Sequence, residues 1–386
     1  MAKVLLGVCS SVAIYKSCDI IRELTKRGHE VRVVMTPAST ELIRPVLFSS
    51  LCGFPAQIDW SLDPLAHITL TRWSDIFLIA PCSINTISKL ALGLADNLLT
   101  SCVLANTKPM LIAPAGNTQM LKKPRIRNHL KTLSRNSIII NPKEGELVCK
   151  EYGEGKLASV ELICNIVEKA LTPQSLKNRR FILALGATEE PIDPVRVISN
   201  ISSGMMGIAI ARELWLRGAN LKLIAGKTSI PIPEEFHIVR VKTASQMLNA
   251  LIEVSKDADC LIMPAAVSDF TPKKMSQTKI ERSNSLTLEL EPTPDILSTI
   301  RNYYKDLFIL GFALEEPDTI LTRAKQKLIN KKINAIVANT ISSINSPNIE
   351  GFLLTPEESM ELTGTKQEAA KAIVNWLETK LGAEGI

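Results

Sequence analysis

Two copies of one strand–helix–strand pattern, one in each half of the chain, constrain the fold more than any other feature of this sequence. Each copy has an apolar strand, a helix that ends in Arg-Glu-Leu with Gly four residues later, and a second strand: 3–8, 22–28 and 30–35, then 181–185, 212–218 and 220–224. Gly28 and Gly218 are predicted to end the helices, because glycine tolerates the left-handed conformation that follows a helix. Such units place parallel strands in one sheet.

Further apolar runs predict more strands in both halves: 76–80, 110–113 and 137–140, then 238–241, 260–263, 307–311 and 334–338. Strands that alternate with helices indicate an α/β fold, with a doubly wound, mostly parallel sheet in each half. A chain of 386 residues is long enough for two domains. The polar segment 171–180 separates the two series of strands, so the predicted domains are 1–174 and 175–386.

The composition excludes several classes of protein. An apolar fraction of 46% without a long uninterrupted apolar run predicts a globular protein and no membrane span, and the N-terminus lacks a signal-peptide cleavage site. A net charge of +6 with 4% aromatic residues disfavours nucleic-acid binding. The eight cysteines form no CxxC pair, which predicts a reducing, cytoplasmic location with neither a disulfide framework nor a zinc site.

Residues 186–207 (GATEEPIDPVRVISNISSGMMG) form a long polar connection between a buried strand and a helix in the second half. Pro191 and Pro194 restrict its backbone. Ser203 and Gly204 come directly before the helix, where backbone N–H groups and hydroxyls favour an anion. Two interpretations remain open at this point, namely an anion-binding loop and an ordinary helix cap with a proline-rich entry.

In the first half, polar residues follow the predicted strands at the edge where parallel sheets bind ligands. Ser11 follows the first strand, and Ser83, Asn85 and Thr86 begin the helix after strand 76–80, an arrangement suited to a phosphate or a ribityl chain.

Two further residues in this half have the chemistry of catalysis. His67 precedes strand 76–80, and Cys149 lies beside Lys150 in a Gly-rich, charged loop. On residue chemistry alone, His67 fits a structural role as well as a catalytic one, and Cys149 is either a reactive loop thiol or an inert one.

Longer motifs carry a family resemblance. Residues 67–100 (HITLTRWSDIFLIAPCSINTISKLALGLADNLLT), with GVCSSVAIYK before them and APAGNTQM after them, resemble the flavin-dependent cysteine decarboxylases. EPIDPVR, SNISSGMMG and AAVSDF in the second half resemble phosphopantothenate–cysteine ligase. In this order, and over nearly the whole chain, they resemble the bifunctional phosphopantothenoylcysteine decarboxylase/phosphopantothenate–cysteine ligases of coenzyme A biosynthesis.

The resemblance implies that the first half is a flavodoxin-like flavoprotein domain that binds FMN. It assigns the active-site histidine to His67, the protonating cysteine to Cys149, and substrate binding to Asn117 and Lys156. It places the flavin contacts at Ser11, Ser83, Asn85 and Thr86. Three positions depart from the family pattern: Gly116 replaces a methionine, Lys150 a glycine and Lys156 an arginine, so we expect reduced rather than abolished decarboxylation.

The resemblance implies that the second half is a Rossmann-like ligase domain. It assigns catalysis to Asn200 and Lys279 and substrate binding to Arg196. The nucleotide positions that it implies, for CTP, are Asp269, Lys279, Thr293, Pro294, Asp295, Ile296, Phe312, Lys327 and Lys331. Mg²⁺ is expected through the phosphates, with no protein ligand assigned. Glu189 and Met205 stand where the family usually has an arginine and a lysine.

Lys327 and Lys331 lie four residues apart, a spacing that lets both reach one triphosphate. Without the resemblance they would be taken as solvated surface lysines.

The expected reaction sequence joins L-cysteine to 4′-phosphopantothenate through an acyl-cytidylate, and then decarboxylates phosphopantothenoylcysteine to 4′-phosphopantetheine. The resemblance also implies a homo-oligomer with trimeric decarboxylase and dimeric ligase contacts, which together are compatible with a dodecamer. Two alternatives remain: a degenerate flavoprotein with only the ligase half active, and a flavin-linked peptide-cysteine decarboxylase. A dinucleotide oxidoreductase is disfavoured, because neither half carries GxGxxG after its first strand.

Overall fold

The computed structural model describes residues 1–146, 148, 150–282 and 285–382. It divides the chain into two compact units, Met1–Pro173 and Gln174–Ile386. The division falls within the polar segment 171–180.

The first unit contains alternating strands and helices. Its strands are β1 Lys3–Val8, β2 Glu30–Met35, β3 Ile76–Cys82, β4 Met110–Pro114, β5 Ile138–Ile139, β6 Lys143–Glu146 and β7 Tyr152–Lys156. Its helices are α1 Lys16–Lys26, α2 Pro45–Cys52, α3 Ala66–Trp73, α4 Ile84–Leu92, α5 Leu98–Ala105, α6 Thr118–Leu121, α7 Pro124–Leu133 and α8 Val160–Leu171.

Strands β1 to β5 form one parallel sheet in the order β2-β1-β3-β4-β5. Apolar side chains fill both of its faces, since one buried cluster joins it to α1 and α8 and another joins it to α3, α4 and α5. The predicted α/β class is confirmed, and strands 3–8 and 30–35 match to the residue. Because the strand order reverses at β1, the loops after β1 and β3 border the crevice where such sheets bind ligands.

The prediction of a loop at 145–156 was wrong for much of that segment. β6 and β7 pair in an antiparallel hairpin with an irregularity at Lys143/Glu144. The sequence KEGE followed by YGEGK has neither apolar alternation nor β-branched residues, so the usual strand signals are missing.

The second unit repeats the alternation and adds an antiparallel extension. Its strands are β8 Arg180–Leu185, β9 Glu189–Pro191, β10 Val197–Ser199, β11 Asn220–Ala225, β12 Ile238–Arg240, β13 Cys260–Met263, β14 Phe270–Pro272, β15 Leu290–Pro292, β16 Phe308–Glu315, β17 Ala335–Thr340, β18 Asn348–Leu354 and β19 Ser359–Thr365. Its helices are α9 Met205–Leu216, α10 Ala244–Ser255, α11 Ile296–Tyr303, α12 Ile320–Lys331 and α13 Lys366–Gly382.

The main sheet of this unit has the order β12-β11-β8-β13-β16-β17-β18-β19. In this sheet β12, β11, β8, β13, β16 and β17 are parallel to one another. β18 and β19 pair antiparallel, and neither strand was predicted. Helix α13 covers this extension and packs into the same core as α9. The strand order reverses at β8, so the crevice lies between the loops after β8 and β13.

The connection 186–207 is more ordered than a simple loop. β9 and β10 pair within it, and Gly204 then takes a φ of 78° just before α9. A Cβ at Gly204 would lie 2.7 Å from Thr228 Cγ2, so glycine is required both by the backbone and by the neighbouring side chain.

Candidate functional site

Two serine hydroxyls cap the backbone at the crevice of the first unit. Ser11 Oγ accepts a hydrogen bond from Ala13 N at 3.3 Å after β1. Ser83 Oγ accepts one from Thr86 N at 3.3 Å and caps α4 after β3. Cys9 N donates to Pro81 O at 3.3 Å, which joins the start of the loop after β1 to the end of β3. The structure therefore brings Ser11 and Ser83 to neighbouring loops of one crevice.

Further polar groups at the same edge of the sheet are available to a ligand that carries hydroxyls or a phosphate. Asn85 is exposed in the first turn of α4, where backbone N–H groups lack partners within the helix. Thr36, directly after β2, is buried, and its Oγ1 has no hydrogen-bond partner. Sequence reasoning missed Thr36, although a polar residue directly after a buried strand was the available signal.

The β6–β7 hairpin lies directly against the loop that carries Asn117. Gly116 N donates to Gly155 O at 3.0 Å. A Cβ at Gly155, whose φ is +155°, would overlap the Gly116 carbonyl oxygen, and one at Gly153 would lie 2.5 Å from Thr118 Oγ1. These glycines allow the close approach that a side chain would prevent.

Asn117 contacts the hairpin through its side chain. Its Nδ2 donates to Glu151 Oε2 at 3.1 Å, and its Oδ1 accepts from Gln119 N at 2.8 Å. Cys149, the predicted protonating cysteine, lies outside the described residues. Its neighbours along the chain belong to the hairpin that the structure seats on Asn117.

Lysine side chains gather at the base of this hairpin. Lys143 and Lys156 are paired in register, and Lys156 is exposed. The pKa of Lys16, at the start of α1, is lowered by partial burial and then by the charges of Lys156 and Lys143. The cluster favours an anionic ligand, and sequence reasoning missed Lys16 because nothing local marks it.

His67 lies in the first turn of α3. Trp60 Nε1 donates a hydrogen bond to His67 Nδ1 at 3.2 Å, and the two rings meet edge to face with their centroids 6.4 Å apart. The preceding residue, Ala66, packs in the buried cluster that contains Cys9 and Cys82 at the sheet edge. Sequence reasoning selected His67 and missed Trp60.

In the second unit, Asn200 is held at the crevice by the loop after β13. Its Nδ2 donates to Val267 O at 2.9 Å. Thr188 connects the same two loops, since its N donates to Ala266 O at 3.2 Å and its Oγ1 accepts from Ser268 N at 2.9 Å. Asn200 is otherwise exposed.

Arg196 and the backbone of the segment that carries Lys279 both donate hydrogen bonds to one buried carboxylate, that of Asp193. Asp193 Oδ1 accepts from the backbone of Val195 and Arg196, and its Oδ2 accepts from Ile280 N at 3.1 Å. Arg196 Nη1 also donates to Asp193 Oδ2, and it donates to Ile280 O at 3.1 Å. Burial alone would raise the pKa of Asp193, but these donors lower it to about 2.

Two of the predicted nucleotide residues, Asp269 after β13 and Thr293 after β15, lie on loops that are hydrogen-bonded to each other. Thr293 N donates to Asp269 O at 3.0 Å, and Thr293 Oγ1 donates to Ser268 O at 2.6 Å. Asp295 caps α11, with Pro294 directly before it. Phe312 is half-buried in β16, and Ile296 is buried in the core, which leaves its backbone rather than its side chain for a ligand.

Lys327 and Lys331 have different partners, although both lie on α12. Lys327 Nζ is 2.7 Å from Oε1 of buried Glu315, and Lys331 Nζ is 3.1 Å from Asp295 Oδ1. Burial alone would raise the pKa of Asp295, but bonds from Ser298 and the Lys331 ammonium lower it. Both lysine charges are therefore partly balanced by the protein.

Lys227 is a further cation that sequence reasoning missed. Its Nζ lies 2.6 Å from Glu189 Oε1, and its backbone exchanges two hydrogen bonds of 2.8 Å with Ala187. Ser229 N donates to Ser203 O at 3.2 Å, which ties the Lys227 loop to the start of α9. The loop that carries Lys227 thus contacts the segment before Met205, while the Lys227 charge is paired with Glu189.

Within the described ranges, no group of three or more His, Cys, Asp or Glu side chains is arranged to hold a metal ion. None of the described helices combines the length and hydrophobicity that a bilayer crossing requires.

Comparisons with known proteins match both units. The Flavoprotein family model matches residues 1–172, and the model for the DNA/pantothenate metabolism flavoprotein C-terminal domain matches residues 176–381. A flavoprotein followed by this C-terminal domain defines a two-part enzyme of pantothenate metabolism.

Similar full-length proteins identify the family. The coenzyme A biosynthesis bifunctional protein CoaBC of Vibrio vulnificus (strain YJ016) is 33% identical over 98% of this chain and 98% of its own length. CoaBC of Escherichia coli (strain K12) is 34% identical over 94% of both chains, and that of Bacillus subtilis (strain 168) is 35% identical over 88% of this chain and 87% of its own. The chain belongs to the CoaBC family: it is a bifunctional enzyme of coenzyme A biosynthesis with decarboxylase and ligase activities, as the sequence motifs predicted.

Among solved structures, the C-terminal domain of a CoaBC protein is 33% identical and aligns with 54% of this chain and 99% of its own, with a TM-score of 0.48. A PPC decarboxylase variant complexed with pantothenoylaminoethenethiol is 35% identical and aligns with 43% of this chain and 96% of its own, with a TM-score of 0.39.

Proposed function

We propose that the second unit uses CTP to join L-cysteine to 4′-phosphopantothenate through an acyl-cytidylate, and that the first unit uses FMN to decarboxylate the resulting phosphopantothenoylcysteine. The observation that carries the proposal is the position of the polar site residues. Ser11 and Ser83 in the first unit, and Asn200 and Asp269 in the second, lie in loops after the strands that border the point where the strand order reverses, which is where doubly wound sheets bind nucleotides and flavins.

The groups at the first crevice suit FMN. The capped start of α4 offers backbone N–H groups to a phosphate, and Ser11, Ser83 and the unpartnered Thr36 Oγ1 suit ribityl hydroxyls or phosphate oxygens. Bound flavin would supply the oxidation of the substrate thiol and the return of the hydride, a chemistry that side chains do not provide.

The chain's own groups would bind and orient the substrate. The lysine cluster at the hairpin base suits the substrate's phosphate or carboxylate, with Lys156 making a point-charge contact. Asn117, fixed by Glu151 and by the start of α6, suits a polar group of the substrate. Cys149, which lies outside the described residues, is the proposed proton donor.

In the ligase unit, Asn200 would contact the acyl-nucleotide from the crevice. Arg196 and Lys279, whose segments meet on Asp193, would supply positive charge to the carboxylate and phosphates as negative charge develops there. Lys327 and Lys331 would share their charges between Glu315, Asp295 and the triphosphate. Mg²⁺ would be bound mainly through the phosphates.

We further propose a cytoplasmic homo-oligomer with trimeric decarboxylase and dimeric ligase contacts. All seven cysteines among the described residues are free thiols, as suits a reducing compartment. The first unit exposes several large apolar side chains that self-association would cover: Val12, Tyr15, Leu42, Val46 and Leu47. Light scattering of the purified chain measures the assembly, and a monomer at micromolar concentration would contradict this part of the proposal.

A coupled assay on the full chain tests the function. Flavin absorbance is measured first, and the chain is then given 4′-phosphopantothenate and cysteine with either CTP or ATP, with products followed by mass spectrometry. We expect 4′-phosphopantetheine in the CTP arm. Product in the ATP arm alone would refute the nucleotide choice, and purified chain without flavin absorbance would refute the cofactor.

The alternative of a ligase with a degenerate flavoprotein half rests on Gly116, Lys150 and Lys156. One of these departures is compensated by packing, because a Cβ at Gly116 would lie 2.8 Å from Ile84 Cγ1. Ile84 therefore fills the space that a larger residue at 116 would need. Accumulation of phosphopantothenoylcysteine by a flavin-loaded chain would favour the alternative.

A further inference from the structure

The carboxylate of Glu315 is buried at the end of strand β16. Only 4% of its side chain is exposed, and its Oε1 accepts no well-aligned hydrogen bond within the part of the chain that the structure describes. Removing such a charge from water is costly unless cations balance it. Two cations of α12 do so, since Lys327 Nζ lies 2.7 Å from Oε1 and Arg323 Nη1 lies 3.8 Å from Oε2.

Glu315 lies at the edge of the sheet where a nucleotide is expected. It is the last residue of β16, and doubly wound sheets bind nucleotides outside the carboxyl ends of their strands. Phe312, a proposed nucleotide contact, belongs to the same strand. A carboxylate repels a triphosphate, so Glu315 can assist the nucleotide only through a cation that it holds.

Lys327 is the cation that Glu315 holds most closely. It follows the start of α12 by about two turns, and helical side chains lean toward the N-terminus of their helix, so its ammonium reaches back toward the end of β16. A lysine side chain in water samples many rotamers, and an ion pair with a buried carboxylate restricts them. An ammonium group has three N–H donors, so the contact with Glu315 leaves donors for phosphate oxygens.

We propose that Glu315 is a positioning residue that holds the Lys327 ammonium at the nucleotide edge of the sheet, and that it thereby raises the affinity of the ligase unit for a nucleoside triphosphate. The proposal rests on the ligase function proposed above. Its sign differs from that of a simple charge effect. Removing a negative charge near a triphosphate should strengthen binding, whereas releasing Lys327 should weaken it, because the lysine must then be ordered when the nucleotide binds.

The test compares variants of the full-length chain that differ in charge and in reach. Glu315→Gln removes the charge and keeps the size of the side chain, and Glu315→Asp keeps the charge but withdraws it by one methylene. Glu316→Gln is the matched control, because Glu316 is the next residue, is exposed and forms no ion pair within the described ranges. Lys327→Met removes the held cation, alone and together with Glu315→Gln.

Titration calorimetry measures the Kd for CTP in the presence of Mg²⁺, and ligation assays give KM for CTP and for cysteine. For Glu315→Gln we expect the Kd and KM for CTP to rise about five- to tenfold, with KM for cysteine unchanged. Glu315→Asp should change in the same direction, and Glu316→Gln should bind CTP as the parent does or more tightly. In the Lys327→Met background, Glu315→Gln should weaken CTP binding no further.

Parental or tighter CTP binding by folded Glu315→Gln would overturn the positioning role, and so would a further loss of affinity in the Lys327→Met background. A lower Tm with an unchanged Kd for CTP would show that Glu315 serves the fold alone, which also overturns the proposal. If Glu315→Gln does not fold, Glu315→Asp supplies the same comparison. If the parent binds neither CTP nor ATP, the proposed ligase function fails instead.

Discussion

A methyl group at position 155 tests whether the β6–β7 hairpin must be seated on the Asn117 loop for decarboxylation. The Cβ of Gly155→Ala would overlap the Gly116 carbonyl oxygen and lie 3.3 Å from its carbon. A backbone carbonyl cannot rotate aside as a long side chain can, so β7 has to move away from the loop. The substitution therefore separates the hairpin from Asn117 without changing any proposed contact residue.

We expect Gly155→Ala to destabilise the seated position of the hairpin by about 2–3 kcal/mol, which is the sum of one lost hydrogen bond and a backbone penalty. The bond from Gly116 N to Gly155 O, 3.0 Å long, contributes about 1 kcal/mol. The left-handed φ of +155° adds about 1–2 kcal/mol for a residue with a Cβ. The equilibrium between seated and displaced hairpin then shifts about 30- to 150-fold.

The assay compares decarboxylation with ligation in the same purified chain. We expect kcat for decarboxylation to fall about tenfold or more, while ligation and flavin content stay near the parental values. Gly145→Ala is the matched control in the same hairpin, because its Cβ would lie 3.3 Å from Lys156 Cδ, in a flexible side chain. Parental decarboxylation in Gly155→Ala would refute the requirement for a seated hairpin.

Three further predictions concern charge and burial. Asp193 has a pKa lowered to about 2 from 3.8, so its ionised form stabilises the fold above the unfolded-state value. The difference in Tm between the parent and Asp193→Asn should therefore be constant near neutral pH and should shrink as pH falls from about 4 to about 2. A Tm difference that grows in acid would contradict this stabilising role of the ionised carboxylate. Asp193→Asn should also slow the Lys279-dependent formation of acyl-nucleotide. Burial raises the pKa of Cys164 to about 12, so Cys164 should resist alkylation by iodoacetamide at pH 8 in native protein. Peptide mass spectrometry measures the labelling, and rapid labelling would show that the Cys164 thiol is not buried. Arg217→Met should lower the Tm of the ligase unit by roughly 4–8 °C in calorimetry, because it leaves the Glu378 carboxylate, 2.7 Å away, without its partner; an unchanged Tm would mean that the pair adds nothing.

Periodic apolar runs were sufficient for most of the fold. Strands β1 and β2 have the predicted bounds, and Gly28 and Gly218 take the positive φ values of 85° and 82° expected of residues that follow a helix. Strands without such runs were missed, as in the β6–β7 hairpin. No strand was predicted for β18 or β19 either, and no local pattern fixes their antiparallel direction.

The candidate sites likewise combine residues that the sequence identified with contacts that it did not predict. Side-chain chemistry and apolar periodicity are local properties, so the amino-acid sequence was enough to predict a two-unit α/β enzyme with polar loops after buried strands. The contacts between side chains from different loops became visible in the folded chain alone: Trp60 with His67, Lys227 with Glu189, and the Lys279 segment with Asp193. These contacts join separate loops and depend on backbone paths that local sequence does not specify. Lys327 and Lys331 illustrate the point, since a shared helix spacing still left them with different carboxylate partners.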